Sequence, residues 1–408
     1  MSATVVIVGG GPSGLTAAAE LAPHARVLVL EREQVAGGIP RHSAHAGYGM
    51  RDLHRLLSGP DYARRLVTHA LAAGATIDTA ATVTGWTAGG ELEVTSPQGR
   101  RTVTGDAFVL ATGARERSRA ARLVPGDRAA GVYTTGHLQN LVHLHGGVPG
   151  WRAVVVGAEL VSWSAVMTLR ESGCRTVLMT TSHPRPESYA AFTLAGRTAL
   201  RVPVAVRSRV VRVIGTPRVQ AVEVEDLDTG SRRRVDCDTV VFTGAWIADS
   251  ELARAAGLDM DRAMSGPLVD TALRTSHPGV FAIGNLVHPV DTADVAALDG
   301  RHVAHQVRAW LGGSRPGPGA VRIVVEKPLR WVSPGLLRPD DPPPPRSRLV
   351  LWTDQLIRLP RLRVTQAGRE LADVRVPWPA SPGRAFRVPS RVLADVDHAR
   401  GDVGIALS

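Results

Sequence analysis

The chain is poor in cysteine, lysine and aromatic residues. Cys174 and Cys237 are the only cysteines in 408 residues, and no CxxC pair occurs. This excludes a local dithiol redox centre and an iron–sulfur cluster ligated by this chain alone. No cluster of residues has metal-ligand spacing, so no metal is expected. No run of about 18 uninterrupted apolar residues is present, so no membrane-spanning helix is predicted. An apolar strand begins within a few residues of the start, which leaves no room for a secretory leader, and a cytoplasmic location is expected. Lys327 is the only lysine among 48 basic residues, set against 37 acidic ones. The net charge of +11 is therefore arginine charge, spread along the chain, and aromatic residues make up only 4%. With neither a basic cluster nor rings for stacking, a nucleic-acid partner is not expected.

Residues 5–31 carry the strongest positive signal. An apolar run, Val5 to Val8, enters the turn Gly9-Gly10-Gly11-Pro12-Ser13-Gly14, then an Ala/Leu-rich helix, then a second apolar run that ends in Glu31. Gly9 suits a tight turn, Gly11 the close approach of a pyrophosphate, and Gly14 close packing of helix on strand. The helix N-terminus offers amide donors to the phosphates, and Glu31 suits both hydroxyls of an adenine ribose. A dinucleotide site is predicted here.

Two later segments bear on which dinucleotide. Ala107 to Leu110 is a buried-type strand running into Ala111-Thr112-Gly113, and Val280 to Ile283 is another that ends in Gly284-Asn285 and precedes a helix from about Thr292. Together the three segments resemble the FAD domain of the two-dinucleotide-domain flavoproteins, the glutathione and thioredoxin reductase superfamily. The resemblance implies FAD, with NAD at this first site as the alternative. It assigns cofactor contacts to the turn residues Gly9, Gly11, Pro12, Ser13 and Gly14, and to Glu31 and Arg32. It adds Gly38, Ile39 and Arg41 after the second strand, Val83, and the turn Ala111, Thr112 and Gly113. Gly284, Asn285, Thr292 and Ala293 complete the set. Asn285 stands where the superfamily usually has Asp, and its amide is expected to bond a ribityl hydroxyl.

The implied fold class is α/β, a Rossmann-like FAD domain split around a second, NAD(P)-type Rossmann-like domain. The expected boundaries are 1–118 and 245–315 for the FAD domain and 119–244 for the insert. A small β-rich appendage is expected over 320–408, beyond the Gly/Pro run at 312–319 and the prolines Pro342 to Pro345. Alternating residues from Arg201 to about Glu225 predict antiparallel strands within the insert. The insert keeps Gly157 for its turn but has Glu159 in place of the second glycine, and Ser162 at the third position. Glu159 brings bulk and negative charge to the place where a diphosphate meets the backbone. Ser164 replaces a glutamate that disulfide reductases carry beside the nicotinamide, and the following strand ends in Met179-Thr180-Thr181 without an acid. Arg185 remains as a remote contact for a 2′-phosphate. Loss of NAD(P)H binding is expected, with a variant site of altered geometry as the alternative.

Where disulfide reductases bring their redox cysteines to the flavin, this chain reads Gly37-Gly38-Ile39-Pro40-Arg41-His42-Ser43-Ala44-His45. With the blocks Ala114 to Ser118, Tyr133 to Gln139 and Val290 to Val295, it resembles a branch related to hydrogen cyanide synthase, opine oxidase and amino-acid dehydrogenase subunits. His42 and His45 are the expected bases, and Arg41 or Arg115 the expected anion contact. Tyr48 is a further substrate-contact candidate. His288, Asp291 and Asp294 follow the third motif, and Asp294 is expected to cap the helix. The expected activity is oxidation of a small amine, amino acid or imino acid, with electrons passing to oxygen, a quinone or a partner protein. Two alternatives stand beside it: an NAD(P)H-dependent reductase feeding a carrier, and a non-catalytic or electron-conduit subunit of a heteromeric dehydrogenase. A second flavoprotein or dehydrogenase subunit is a candidate partner, and a homo-oligomer is left open.

Overall fold

The computed structural model describes residues 3–408 and divides them into two compact units. The first comprises residues up to Arg41, Ala46–Ala114 and Ile247–Ser408; the second comprises His42–His45 and Arg115–Trp246.

In the first unit, five parallel strands run in the order Val280–Ala282, Ala107–Leu110, Thr4–Val8, Arg26–Leu30, Thr76–Asp78. Val5, Val6 and Ile7 at its centre are fully buried, as a sheet covered on both faces requires. The helices Pro12–Leu21 and Ala293–Leu311 pack together at Gly300, where a Cβ would lie 2.4 Å from the Ser13 carbonyl oxygen and 2.7 Å from the Ala17 nitrogen. A side chain there forces the helices apart. An antiparallel meander, Thr82–Trp86, Leu92–Ser96 and Gly99–Val103, adds Trp86, whose ring meets Phe108 edge-on at 5.2 Å.

The last ninety or so residues of this unit form two further sheets. Val321–Val325, Val403–Leu407, Arg361–Gln366 and Arg369–Arg375 make up most of one, and Leu329–Ser333, Arg348–Thr353 and Phe386–Pro389 the other. They enclose a core of their own, with Leu349, Leu351, Leu362 and Val364 fully buried.

The second unit repeats the α/β pattern with the parallel order Val132–Thr134, Thr239–Phe242, Arg152–Val156, Arg175–Thr180, Val204–Ala205. The antiparallel strands expected from Arg201 begin only at Ser208, running through Ser208–Ile214, Ala221–Asp226 and Arg232–Asp236. Val204–Ala205 is instead a short parallel edge. Pro203 cannot donate to a ladder, and Arg207, at φ 49°, turns the chain before the next strand.

Gly300→Leu is expected to destabilise the protein by about 1–3 kcal/mol, because the displaced groups are backbone atoms. Thermal denaturation checks this, and an unchanged transition would mean the helix crossing is not tightly constrained.

Candidate functional site

The nucleotide-binding end of the first unit is built from backbone. Gly9 has φ 110°, and a Cβ on it would lie 2.4 Å from the Ala111 carbonyl oxygen; a Cβ on Gly14 would lie 2.0 Å from the Gly9 oxygen. Gly11 is different, since a Cβ there meets only the Gly38 Cα, at 4.0 Å. The turn is therefore closed beneath and open above, in the manner of a cradle for a diphosphate. Gly38 in turn presses on Gly11, and the Gly37 amide donates to the Gly10 oxygen at 2.7 Å.

Gly11 is the N-cap of the helix Pro12–Leu21, with Pro12 in the first turn and no acidic residue there. The amides of the first turn, Ser13 and Gly14 among them, thus point outward with the positive end of the helix. Glu31 is buried, and its two oxygens accept from the Gly10 amide (2.7 Å) and the Glu33 amide (2.8 Å). Each oxygen keeps a lone pair for a ribose hydroxyl. These features fit a dinucleotide such as FAD.

Most of the remaining predicted contacts are engaged by other residues. Thr112 Oγ1 donates to the Asp249 carbonyl at 2.7 Å, and the Asp249 amide donates to Gly113. Arg32 pairs with Asp249 at 3.3 Å, while Arg41 donates to the Val35 carbonyl at 2.6 Å and lies 3.8 Å from Glu33. Ile39 is exposed, and Val83 pairs with Val94 in the meander. Gly284 donates to Asp299 at 3.2 Å. The Asn285 amide nitrogen donates to the Asp291 carbonyl at 3.0 Å, and its oxygen accepts from the Asp291 amide at 3.1 Å. Asn285 thus closes its own loop.

Thr292, not Asp294, takes the N-cap position of the helix Ala293–Leu311. Asp294 instead holds Arg51, accepting from its backbone amide at 3.1 Å and its guanidinium at 3.2 Å. Tyr48 packs at the core margin, its ring 5.8 Å from Tyr62. His288 is buried between two carboxylates, Nε2 2.5 Å from Asp299 and Nδ1 3.0 Å from Asp291. Arg387 pairs with Asp291, and Arg346 lies 3.6 Å from Asp299. Burial pushes the Asp299 carboxyl up, but His288 and Arg346 beside it hold it below the usual carboxylate range. Sequence order gives no sign of Arg346, Arg387 or Asp299 in this cluster, because nothing local links them.

In the second unit the turn at Gly157 is kept, and Ser162 Oγ bonds Thr243 Oγ1 at 2.6 Å and the Glu159 amide at 3.0 Å. The Glu159 carboxylate fills the space above Gly244, where a Cβ would sit 2.2 Å from its Oε1. Burial, reinforced by the charge of Glu187, pushes its carboxyl up to about 8. Glu187 is buried too, bonded by Thr181 Oγ1 at 2.9 Å and pushed by burial up to about 7. The strand with no acid at its end therefore gains one from the following loop, which the sequence pattern does not show. Arg185 is exposed. Glu116 is buried and accepts from Thr135 Oγ1 (2.8 Å), the Gly244 amide (2.9 Å) and the Gly136 amide (3.1 Å). Arg122 clasps the same turn through the Thr243 and Gly244 carbonyls.

His42 is buried, and residues 42–45 pack with the second unit. There His45 Nε2 lies 2.7 Å from Ser164 Oγ and 3.1 Å from Ser43 Oγ. Gln139 Nε2 donates to both hydroxyls, at 2.8 and 3.3 Å. The histidine predicted as a base and the serine that replaces a reductase glutamate are thus one hydrogen-bonded group.

The model of the pyridine nucleotide-disulphide oxidoreductase family matches residues 3–300. The chain belongs to that family. The family match, with thioredoxin and ferredoxin reductases among the relatives, supports FAD as the cofactor. It is 26% identical to an opine oxidase subunit from Rhizobium meliloti over 76% of this chain and 63% of that one, so it spans under two thirds of this relative's length. It is also 26% identical to the thioredoxin reductase of Treponema pallidum, over 75% of this chain and 96% of that one. Among solved structures, Lactococcus lactis thioredoxin reductase superposes with a TM-score of 0.64 at 18% identity, covering 76% of this chain and all of that one. L-proline dehydrogenase from P. horikoshii superposes at 0.58 and 19% identity, over 76% of this chain and 56% of that one. Both show the fold. Among the described residues, no helix is long and apolar enough to cross a membrane, and no group of side chains is arranged to hold a metal ion.

Because a Cβ on Gly11 meets no protein atom closely, Gly11→Val is expected to fold normally and lose FAD. Circular dichroism and flavin release on denaturation check this; retention of a full complement of FAD would remove Gly11 from the pyrophosphate cradle.

Proposed function

We propose that this protein is an FAD-dependent dehydrogenase or oxidase of a small amine, amino acid or imino acid. The observation that carries the reading is the bonded group of His45, Ser164, Ser43 and Gln139. Its Ser43 and His45 lie in the segment where disulfide reductases carry redox cysteines, and the group offers proton transfer in place of thiol exchange. Oxidation of an amine requires that its ammonium form give up a proton, so that the nitrogen lone pair can drive a hydride from carbon and leave an iminium ion. FAD, when bound, supplies the two-electron acceptor. The residues of the Gly9–Gly14 turn and Glu31 hold its diphosphate and adenine ribose. His45 takes the substrate proton, and Ser164 and Gln139 fix the plane of its ring. Electrons leave to oxygen, a quinone or a second protein; the relationship to one component of an opine oxidase favours a partner chain.

The second reading, an NAD(P)H-driven reductase, is favoured by relatives such as the ferredoxin–NAD(+) reductase of a Pseudomonas putida benzene dioxygenase system, 28% identical over 45% of this chain. Glu159 and Glu187 weigh against it, since two carboxyl groups stand where a diphosphate and ribose would lie.

Neither NADH nor NADPH at millimolar concentration is expected to reduce the flavin quickly. Anaerobic stopped-flow bleaching of the flavin band measures this directly, and fast saturable bleaching would establish the reductase reading instead.

His45→Ala is expected to slow flavin reduction by an amine or amino-acid substrate by roughly 10²–10⁴-fold with FAD still bound. Rapid-mixing rates on variants of verified flavin content provide the check. Wild-type rates in both His45→Ala and His42→Ala would make the loop structural.

A further inference from the structure

The second unit has a cavity of about 480 Å³ lined by Val166, Arg170, Gly173, Cys174, Arg175, Thr176, Leu200, Arg201 and Val202. It lies at the end of the parallel sheet where the strand Arg175–Thr180 begins. The turn glycine and both acids of the dinucleotide crevice sit at the other end, where the Gly157 amide meets the Thr180 carbonyl and Thr181 meets Glu187. The cavity is thus separate from any nucleotide site of the Rossmann type.

Three arginines surround it, and among the described residues none of them forms an ion pair. The adjacent acid, Glu171, faces His143 at 3.5 Å. Three uncompensated guanidinium groups around one hollow repel each other and attract anionic oxygens, for which their forked donors are suited. Thr176 lines the cavity at 8% exposure, with its hydroxyl oxygen buried behind the surface and without a hydrogen-bond partner. Arg201 is held at φ 53°, a left-handed conformation uncommon for a residue with a side chain, and such local strain gathers at binding sites. Val166, Leu200 and Val202 supply an apolar wall. The Cys174 thiol, pushed up to about 12 by burial, offers no thiolate, so the site binds rather than reacts.

We infer that this cavity binds a small organic phosphate, its phosphoryl oxygens held by Arg170, Arg175 and Arg201 and its apolar part against Leu200 and Val202.

The test is isothermal titration of the FAD-loaded protein at low ionic strength with phenyl phosphate and, separately, inorganic phosphate. Saturable binding is expected for both, tighter for phenyl phosphate because of the apolar wall. The double variant Arg175→Gln/Arg201→Gly is expected to weaken phenyl phosphate binding at least tenfold; glycine keeps the left-handed backbone at 201. Flavin content and the thermal transition report whether each variant is folded, and Arg170→Gln serves as a second, surface variant if one is not. The inference is overturned if the wild-type protein shows no saturable binding, or if folded variants bind as the wild type does.

Discussion

Backbone in contact with backbone is the constraint on which the first unit depends. At Gly9, Gly14 and Gly300 the main chain approaches another main chain too closely for any Cβ. The first two bring the Pro12–Leu21 helix down on the central strands, and the third locks it against the Ala293–Leu311 helix. The open side of the turn, above Gly11, is then fixed in shape by atoms that have no rotamers. The shape fits a cofactor diphosphate, which would meet a surface that needs little ordering on binding.

The second unit uses the same strand order to a different end. Its turn keeps the glycine and the small Ser162, while the Glu159 carboxyl fills the space above Gly244 and Glu187 bonds Thr181. Burial pushes the carboxyl groups of Glu159 and Glu187 up, and the charge of Glu187 adds to the effect on Glu159. Glu116 and Arg122 then clasp the turn at Thr243 and Gly244 from within the protein. The turn of this unit is tied together by its own side chains, and Ser164 is hydrogen-bonded to His45 and Gln139.

The C-terminal segment is joined to the flavin-binding part of its unit by charge. Arg346 and Arg387 reach Asp299 and Asp291, which enclose His288. Removing charged groups from water is costly, so such a cluster adds little stability over apolar packing, yet the loss of one partner would strand a buried charge. It also closes off His288 and Asp291, two groups that follow the third cofactor motif and that sequence position alone made candidates for chemistry.

The sequence by itself determined the family, the α/β class and the cofactor. Those follow from local rules: glycine spacing fixes a turn and apolar runs fix buried strands, all within a few residues of one another. The absence of paired cysteines was equally plain. Only the tertiary structure decided which side chains meet across the chain. Glu187 arrives beside Thr181 from a loop, Ser164 meets His45 from a distant helix, Arg346 and Arg387 meet aspartates far behind them, and three arginines converge on one hollow. Asn285 turned to its own loop, and the N-cap fell to Thr292, because hydrogen bonds go to the partner that folding brings within reach. Backbone geometry is written locally, while the company a polar side chain keeps is set by packing between segments that share no pattern.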